Sequence, residues 1–123
     1  MTPLKTYLDS GLLVAGGTDS AVVPFNPFWE IYHFHTRNTI AGGVYGAEEA
    51  VASRETLLRM ITINYARLIG EEALKGSIEP GKLADFAILS DDVLTVPAER
   101  LLTTTALATY VGGRQVYRRP AAR

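Results

Sequence analysis

Apolar residues recur at helical spacing in two stretches of the chain, and each stretch begins with a residue that caps helices. Asn26 followed by Pro27 combines a capping side chain with a proline in the first turn, and predicts a helix over residues 27–36. Ser53 begins the second stretch, whose apolar stripe of Leu57, Ile61, Tyr65 and Leu68 predicts one continuous helix that ends at Gly70. A short helix is also expected over residues 4–10.

Short apolar runs between glycines and prolines predict the strands. Residues 12–15, Leu-Leu-Val-Ala, lack polar alternation, which favours a strand buried on both faces of a parallel sheet. Residues 37–52 contain three glycines and are expected to form a long loop. The rest of the chain predicts strands over residues 75–78, 85–89, 106–111 and 115–117, a type II turn over 79–82, one helical turn over 97–102 and a tight hairpin at 112–113.

Composition restricts the class of protein. The chain has 123 residues, of which 47% are hydrophobic and 20% charged, as in globular proteins. A formal charge of −1 provides no field that would attract nucleic acid or an anionic membrane. The absence of cysteine excludes a disulfide framework and a thiolate nucleophile, and no apolar run has the length of a transmembrane helix. We expect a cytoplasmic protein that binds neither nucleic acid nor membranes.

Two short motifs carry candidate chemistry. Asp19 lies in a small polar loop directly after the strand predicted over residues 12–15, at the sheet edge where functional residues of parallel α/β folds are found. The alternative is that Asp19 only caps a helix. His33 and His35 have the spacing of a metal-binding pair, but on the predicted helix their side chains diverge by about 200°. We therefore interpret both histidines as structural or surface residues.

Three segments, in this order, resemble the C-terminal part of metal-dependent amidohydrolases, in particular the subgroup of N-substituted formamide deformylase-like enzymes. They are LLVAGGTDS, SRETLLRMITINYARLIG and KGSIEPGKLADFAIL, which continues to ATYVGGRQVYR. Gly-Thr-Asp alone is common by chance, whereas the long third segment is specific. The resemblance covers nearly the whole chain and implies that the chain is a C-terminal fragment of such an enzyme.

The resemblance implies an α+β or α/β fragment with two portions. Residues 1–72 would supply the last strand and flanking helices of a (β/α)8 barrel, and residues 73–123 would supply C-terminal β-strands of the family's small, composite β-sandwich domain. Asp19 matches the position that ligates a divalent metal, usually zinc, and acts as general base. In such enzymes the metal lowers the pKa of a water molecule, and the carboxylate takes its proton.

The same resemblance implies that the chain alone is catalytically incomplete. A whole (β/α)8 barrel takes about 250 residues, and one carboxylate does not hold zinc stably. The complete enzyme would act on a small-molecule amide or formamide. Apolar faces left without barrel neighbours predict a homo-oligomer, or pairing with the missing barrel portion. Two alternatives remain: a non-catalytic binding or regulatory protein, and a structural oligomerisation module.

Overall fold

The structure is a computed structural model that describes residues 2–20 and 25–120. Within these ranges, four helices are followed by a three-stranded antiparallel sheet of strand order β1-β2-β3, and two 3-10 segments connect them. The helices are α1 (Leu4–Asp9), α2 (Pro27–Thr36), α3 (Arg54–Met60) and α4 (Ile63–Leu68); the strands are β1 (Phe86–Leu89), β2 (Ala106–Val111) and β3 (Arg114–Arg118); the 3-10 segments are Ala47–Glu49 and Ala98–Thr103.

Helix α2 forms where its capping residues predict it. The side chain of Asn26 accepts a hydrogen bond from the Phe28 N–H at 2.9 Å, and Pro27 occupies the first turn, where its missing N–H is not needed. The helix ends at Arg37, whose backbone is left-handed with φ 59°. The prediction of a helix over residues 27–36 is therefore confirmed.

The main core lies where one face of α2 packs on the segment Ala98–Thr103. Leu101 of that segment is completely buried, and Ile31 of α2 is 1% exposed. Two hydrogen bonds join the same pieces: Trp29 Nε1 donates to the Leu102 carbonyl at 3.0 Å, and Asn26 Nδ2 donates to the Thr104 carbonyl at 3.3 Å. Buried residues of α1, α2, α3 and the loops complete the cluster: Leu4, Phe28, Tyr32, Val51, Leu57, Met60 and Val93.

The helix predicted after Ser53 begins correctly but is not continuous. Ser53 Oγ accepts a hydrogen bond from the Thr56 N–H at 3.1 Å, as an N-cap does. The chain then leaves the helix after α3 and starts again with α4. Thr62 lies at this break, in a run of three β-branched residues, and its hydroxyl donates to the Leu58 carbonyl at 2.8 Å. Because β-branched residues and such local hydrogen bonds both disfavour regular helix, the break follows from the local sequence.

The break also changes which residues are buried. Tyr65 is 50% and Leu68 is 61% exposed, so the predicted stripe is wrong at these two positions. Ile63 and Ala66, which stand in a different helical phase, are buried instead. A kink rotates the residues after it relative to those before it, and a single periodicity cannot describe both halves.

Two predicted strands are absent from the described residues. Residues 12–15 have an irregular conformation, and Leu12 is 60% exposed although the sequence suggested a strand buried on both faces. Residues 75–78 form bends, because Lys75 N–H donates to the Glu71 carbonyl at 3.0 Å and Gly76 has φ 94°. A strand requires a neighbouring strand to take up its backbone hydrogen bonds, and neither segment has one among the described residues.

The remaining β elements confirm their predictions. Strands β1, β2 and β3 lie within a residue or two of the predicted bounds, and the segment Ala98–Thr103 is the helical turn expected near 97–102. The Lys82 N–H donates to the Glu79 carbonyl at 3.2 Å, and Gly81 has φ 91°, as a type II turn requires. Gly112 and Gly113 both have positive φ in the β2–β3 hairpin. Within residues 2–20 and 25–120, no helix is long and apolar enough to cross a membrane.

Alanine substitutions at two glycines can show how tightly residues 71–83 pack on α4. Gly76 and Gly81 have nearly equal φ angles of 94° and 91°, but a methyl group on Gly76 would lie 2.8 Å from Ala66 Cβ, whereas none of the described atoms lies within 4 Å of one on Gly81. We expect Gly81→Ala to lower the free energy of unfolding by about 1–2 kcal/mol, through backbone strain alone. Gly76→Ala should lower the free energy of unfolding by the same amount and by roughly a further 1–3 kcal/mol, because the added methyl group overpacks the contact with α4. Equal losses in urea unfolding experiments would contradict this packing.

Candidate functional site

The loop that carries Asp19 is attached to the α3–α4 junction. The Gly16 N–H donates to the Met60 carbonyl at 3.2 Å, and Asn64 Nδ2 donates to the Val14 carbonyl at 2.9 Å. Asn64, a residue of helix α4, therefore holds the loop through its side chain. Asp19 itself is exposed and has φ 47°, a left-handed conformation that aspartate tolerates better than most residues. The structure thus presents the Asp19 carboxylate at the surface of a loop whose base is fixed.

Glu30 of α2 lies against the base of this loop. A methyl group added to Gly16 would lie 2.5 Å from Glu30 Oε1, so any other residue at this position would require the Glu30 carboxyl to move. Both carboxyl oxygens of Glu30 are buried and have no hydrogen-bond partner among the described residues. Burial raises the pKa of Glu30, the nearby backbone N–H of Gly17 opposes this rise without forming a hydrogen bond of normal geometry, and the negative charge of Asp19 adds to it.

His33 stands one helical turn after Glu30. Its Nδ1 contacts the backbone carbonyl of Asn38, and because a carbonyl can only accept, the ring proton is on Nδ1. In the neutral ring, Nε2 therefore carries a lone pair. Nε2 is buried and, within the described part of the chain, has no hydrogen-bond partner. The ring orientation is fixed further by edge contacts with Trp29 and Tyr32.

Glu30 and His33 share one cavity beside the Asp19 loop. Successive helical residues are rotated by about 100°, which places Glu30 and His33 on the face of α2 away from the core, with Trp29 beside them. The cavity has a volume of about 170 Å³ and is partly open to solvent. Its lining consists of these three residues, two residues of the Asp19 loop and two apolar neighbours: Gly17, Thr18, Phe34 and Ile40.

A second cavity extends the first along the loop after α2. It has a volume of about 270 Å³ and shares His33, Phe34 and Ile40 with the first. Tyr45 lines its far side and is 65% exposed, while Ile40 is 62% exposed. The two cavities adjoin at their shared residues, and we call the pair the α2 cleft. Its walls are mainly apolar; His33 lines both cavities, and Glu30 lines the smaller one.

The structure does not bring the candidate metal-binding residues together. His33 and His35 both lie on α2, which confirms that the H-x-H sequence is helical; His35 is turned away, and its Nδ1 donates to the Val51 carbonyl at 3.0 Å. Across residues 2–20 and 25–120, no group of three or more histidine, aspartate or glutamate side chains could hold a metal ion. The described residues do not fit a metal by themselves, and the role predicted for Asp19 stays a prediction.

Glu30 was missed by the sequence analysis. Its helical position was predicted correctly, but its burial depends on the approach of Gly16 and Gly17, which are distant in sequence. One signal was present: an acidic residue and a histidine three positions apart, on a helix that is otherwise mostly apolar. That spacing places two side chains on the same helical face.

The raised pKa of Glu30 makes stability depend on pH. The folded state binds the proton more tightly than the unfolded state, whose pKa is near the ordinary value of 4.5. The contribution of Glu30 to stability is therefore most favourable at pH values below 4.5 and is lost as the pH rises through the folded pKa. We expect Glu30→Gln to be more stable than the unmodified chain at neutral pH, with an advantage that disappears in acid. Urea unfolding across pH, with the exposed Glu72→Gln as control, measures this; an advantage independent of pH would contradict it.

Comparison with known proteins identifies the family of this chain. The model of the amidohydrolase family (Amidohydro_3) matches residues 1–117. N-substituted formamide deformylase from Arthrobacter pascens is 34% identical over 95% of the chain, and the putative amidohydrolase YtcJ from Bacillus subtilis is 29% identical over 92%. The crystal structure of an amidohydrolase from Thermotoga maritima superposes with a TM-score of 0.71 at 27% identity, covering 94% of this chain.

The matches concern only part of each relative. The chain spans 21% of the length of the deformylase, 22% of YtcJ and 26% of the Thermotoga protein. The resemblance seen in the three sequence segments is nevertheless confirmed, because the family model extends over nearly all of the chain and the structural neighbour belongs to the same class. This chain belongs to the amidohydrolase family.

Proposed function

We propose that this chain supplies the last metal-site aspartate, Asp19, to a metal-dependent hydrolase that acts on carbon–nitrogen bonds other than peptide bonds. The observation that carries the proposal is the continuous family match over residues 1–117, which includes the Gly-Thr-Asp segment. Two relatives support the type of bond, because a formamide deformylase and a deaminase, the 5-methylthioadenosine/S-adenosylhomocysteine deaminase of Thermococcus onnurineus, both break carbon–nitrogen bonds. Small amides or formamides are the proposed substrates.

Asp19 would have two roles in the complete enzyme, metal ligand and proton acceptor. Two features support both roles. The carboxylate is exposed, so a metal ion or a water molecule can contact it, and hydrogen bonds at the base of the loop hold it in place. Zinc is the proposed metal, and the other ligands would come from the rest of the barrel. A divalent metal supplies Lewis-acid activation in such sites, and a nearby carboxylate acts as general base.

The exposed apolar surface supports assembly with that missing portion. Leu58, Ile61, Tyr65 and Phe86 line an open groove of about 600 Å³ between the α3–α4 region and the sheet. Strands β1 and β3 are the edges of the sheet, and edge strands present unpaired backbone groups. Residues 1–72 would complete a (β/α)8 barrel and residues 73–123 a composite β-sandwich, as a homo-oligomer or with the remaining barrel. The absence of cysteine agrees with a reducing, cytoplasmic environment.

A second candidate function is a non-catalytic interaction module. The same groove and sheet edges favour it, because they would bind another chain whether or not a catalytic site results. Such a module, structural or regulatory, would require neither a metal nor an accessible Asp19. The two candidates therefore differ in the consequences of changing Asp19.

The proposal predicts that the isolated chain has no hydrolase activity. The chain would be purified and assayed with zinc or manganese against N-formyl and N-acyl amines. We expect no turnover above the metal-only background, because one metal ligand does not form a catalytic zinc site. Metal-dependent turnover by the isolated chain would contradict the proposed incompleteness.

When the rest of the barrel is present, on the same polypeptide or as a partner, Asp19→Asn should lower kcat by about 10² to 10⁴, the contribution of a general base. Asp9→Asn is the matched control, because Asp9 is exposed and pairs only with Lys5 among the described residues. We expect this control to keep its activity within about twofold, since exposed ion pairs contribute little. An Asp19→Asn enzyme as active as the control would exclude the catalytic role and favour the interaction module.

A further inference from the structure

The α2 cleft contains hydrogen-bond acceptors without matching donors. Both Glu30 carboxyl oxygens and His33 Nε2 are buried and unpartnered among the described residues, and both side chains line the same cavity. Trp29 Nε1, which lines the same cavity, donates to the Leu102 carbonyl, and the backbone N–H of Gly17 near Glu30 forms no hydrogen bond of normal geometry with its carboxyl. Burial of unpaired polar atoms costs free energy, so a ligand that donates hydrogen bonds would stabilise this arrangement.

The apolar lining of the cleft determines the size and the apolar character of the rest of the ligand. Trp29, Phe34 and Ile40 surround the acceptors, and Ile40 remains largely exposed. The cavity volume of about 170 Å³ is similar to the roughly 150 Å³ of an apolar protein cavity that takes benzene. A group the size of one aromatic ring therefore fits beside the acceptors. A metal ion fits less well, because no third ligand of a metal site is present among the described residues.

We propose that the α2 cleft binds an ammonium or amine group that carries an apolar substituent of about one ring, with Glu30 and His33 Nε2 accepting its N–H hydrogen bonds. A carboxylate favours a cationic amine over a neutral or anionic analogue of the same shape. The cleft begins at Gly17 and Thr18, directly before Asp19. This inference rests on the proposed function, in which it assigns the cleft to the amine side of the carbon–nitrogen bond.

The test is equilibrium binding of benzylammonium to the 123-residue chain in a metal-free buffer that contains a chelator. Trp29 is the only tryptophan and the chain has only two histidines, so tryptophan fluorescence and the histidine NMR signals report on the cleft directly. We expect saturable quenching together with a shift of the His33 ring signals. Benzyl alcohol and benzoate should bind at least about tenfold more weakly, because neither offers a charged N–H donor.

Matched variants separate the two acceptors from general effects on folding. An asparagine amide can replace the Nδ1 donor of histidine but has no group in the place of Nε2. His33→Asn keeps the hydrogen bond to the Asn38 carbonyl and should weaken benzylammonium binding about tenfold. His35→Asn keeps the equivalent bond to the Val51 carbonyl and, because His35 lines a different cavity, should bind within about twofold of the unmodified chain. Glu30→Gln should weaken binding to a similar degree as His33→Asn, because it removes the charge.

The absence of saturable benzylammonium binding would overturn the proposal, and so would equal affinities for benzylammonium, benzyl alcohol and benzoate. Equal losses in His33→Asn and His35→Asn would also overturn it. Failure here is distinguishable from failure of the proposed function. Metal-dependent hydrolysis by the assembled enzyme without amine binding in the cleft would reject only the assignment of the cleft, whereas amine binding without any hydrolysis by the assembled enzyme would reject only the hydrolase function.

Discussion

The rest of the structure depends on the packing of α2 against the segment Ala98–Thr103. Leu101 and Ile31 are buried almost completely in this contact, and the two hydrogen bonds from Asn26 and Trp29 fix the orientation of the helix. Full burial of aliphatic side chains of this size contributes about 1.5–3 kcal/mol each. Once the core face of α2 is fixed, its other face must carry Glu30 and His33 beside the loop of Asp19, because both faces belong to one rigid helix.

This arrangement explains why a carboxyl group is buried on the face of α2 away from the core. Glu30 lies close to Gly16, whose missing Cβ leaves room for the carboxyl, and it shares a cavity with Gly17. The carboxyl is thereby shielded from water, which raises its pKa, and the charge of Asp19 acts in the same direction. Buried polar groups without a hydrogen-bond partner are rare in natural proteins, and those that lie in a cleft are candidates for functional sites.

Local sequence determined the elements that were predicted well. The caps Asn26 and Ser53, the Glu79–Lys82 turn and the hairpin glycines act through neighbours a few residues away, so the sequence alone was sufficient to locate them. Residues 12–15 were predicted as a strand because their composition is apolar, and residues 75–78 because they lie in a stretch punctuated by glycine and proline. A strand depends on a distant partner that neither signal provides. The helix break at Thr62 was hidden by a stripe that looked continuous.

The residues of the candidate site also differ in whether local sequence was sufficient to predict them. Asp19 was predicted from a family signature that is local in sequence, and its role stays a prediction. The cleft of Glu30 and His33 depends on the meeting of α2 with a loop more than ten residues away. The central claim, that Asp19 is a metal ligand of a larger hydrolase, is tested most directly by anomalous diffraction at the zinc edge, on crystals of the protein with the rest of its barrel. The account predicts a zinc peak about 2.0–2.2 Å from an Asp19 carboxylate oxygen. A zinc ion coordinated entirely by other residues, with Asp19 facing solvent, would contradict it.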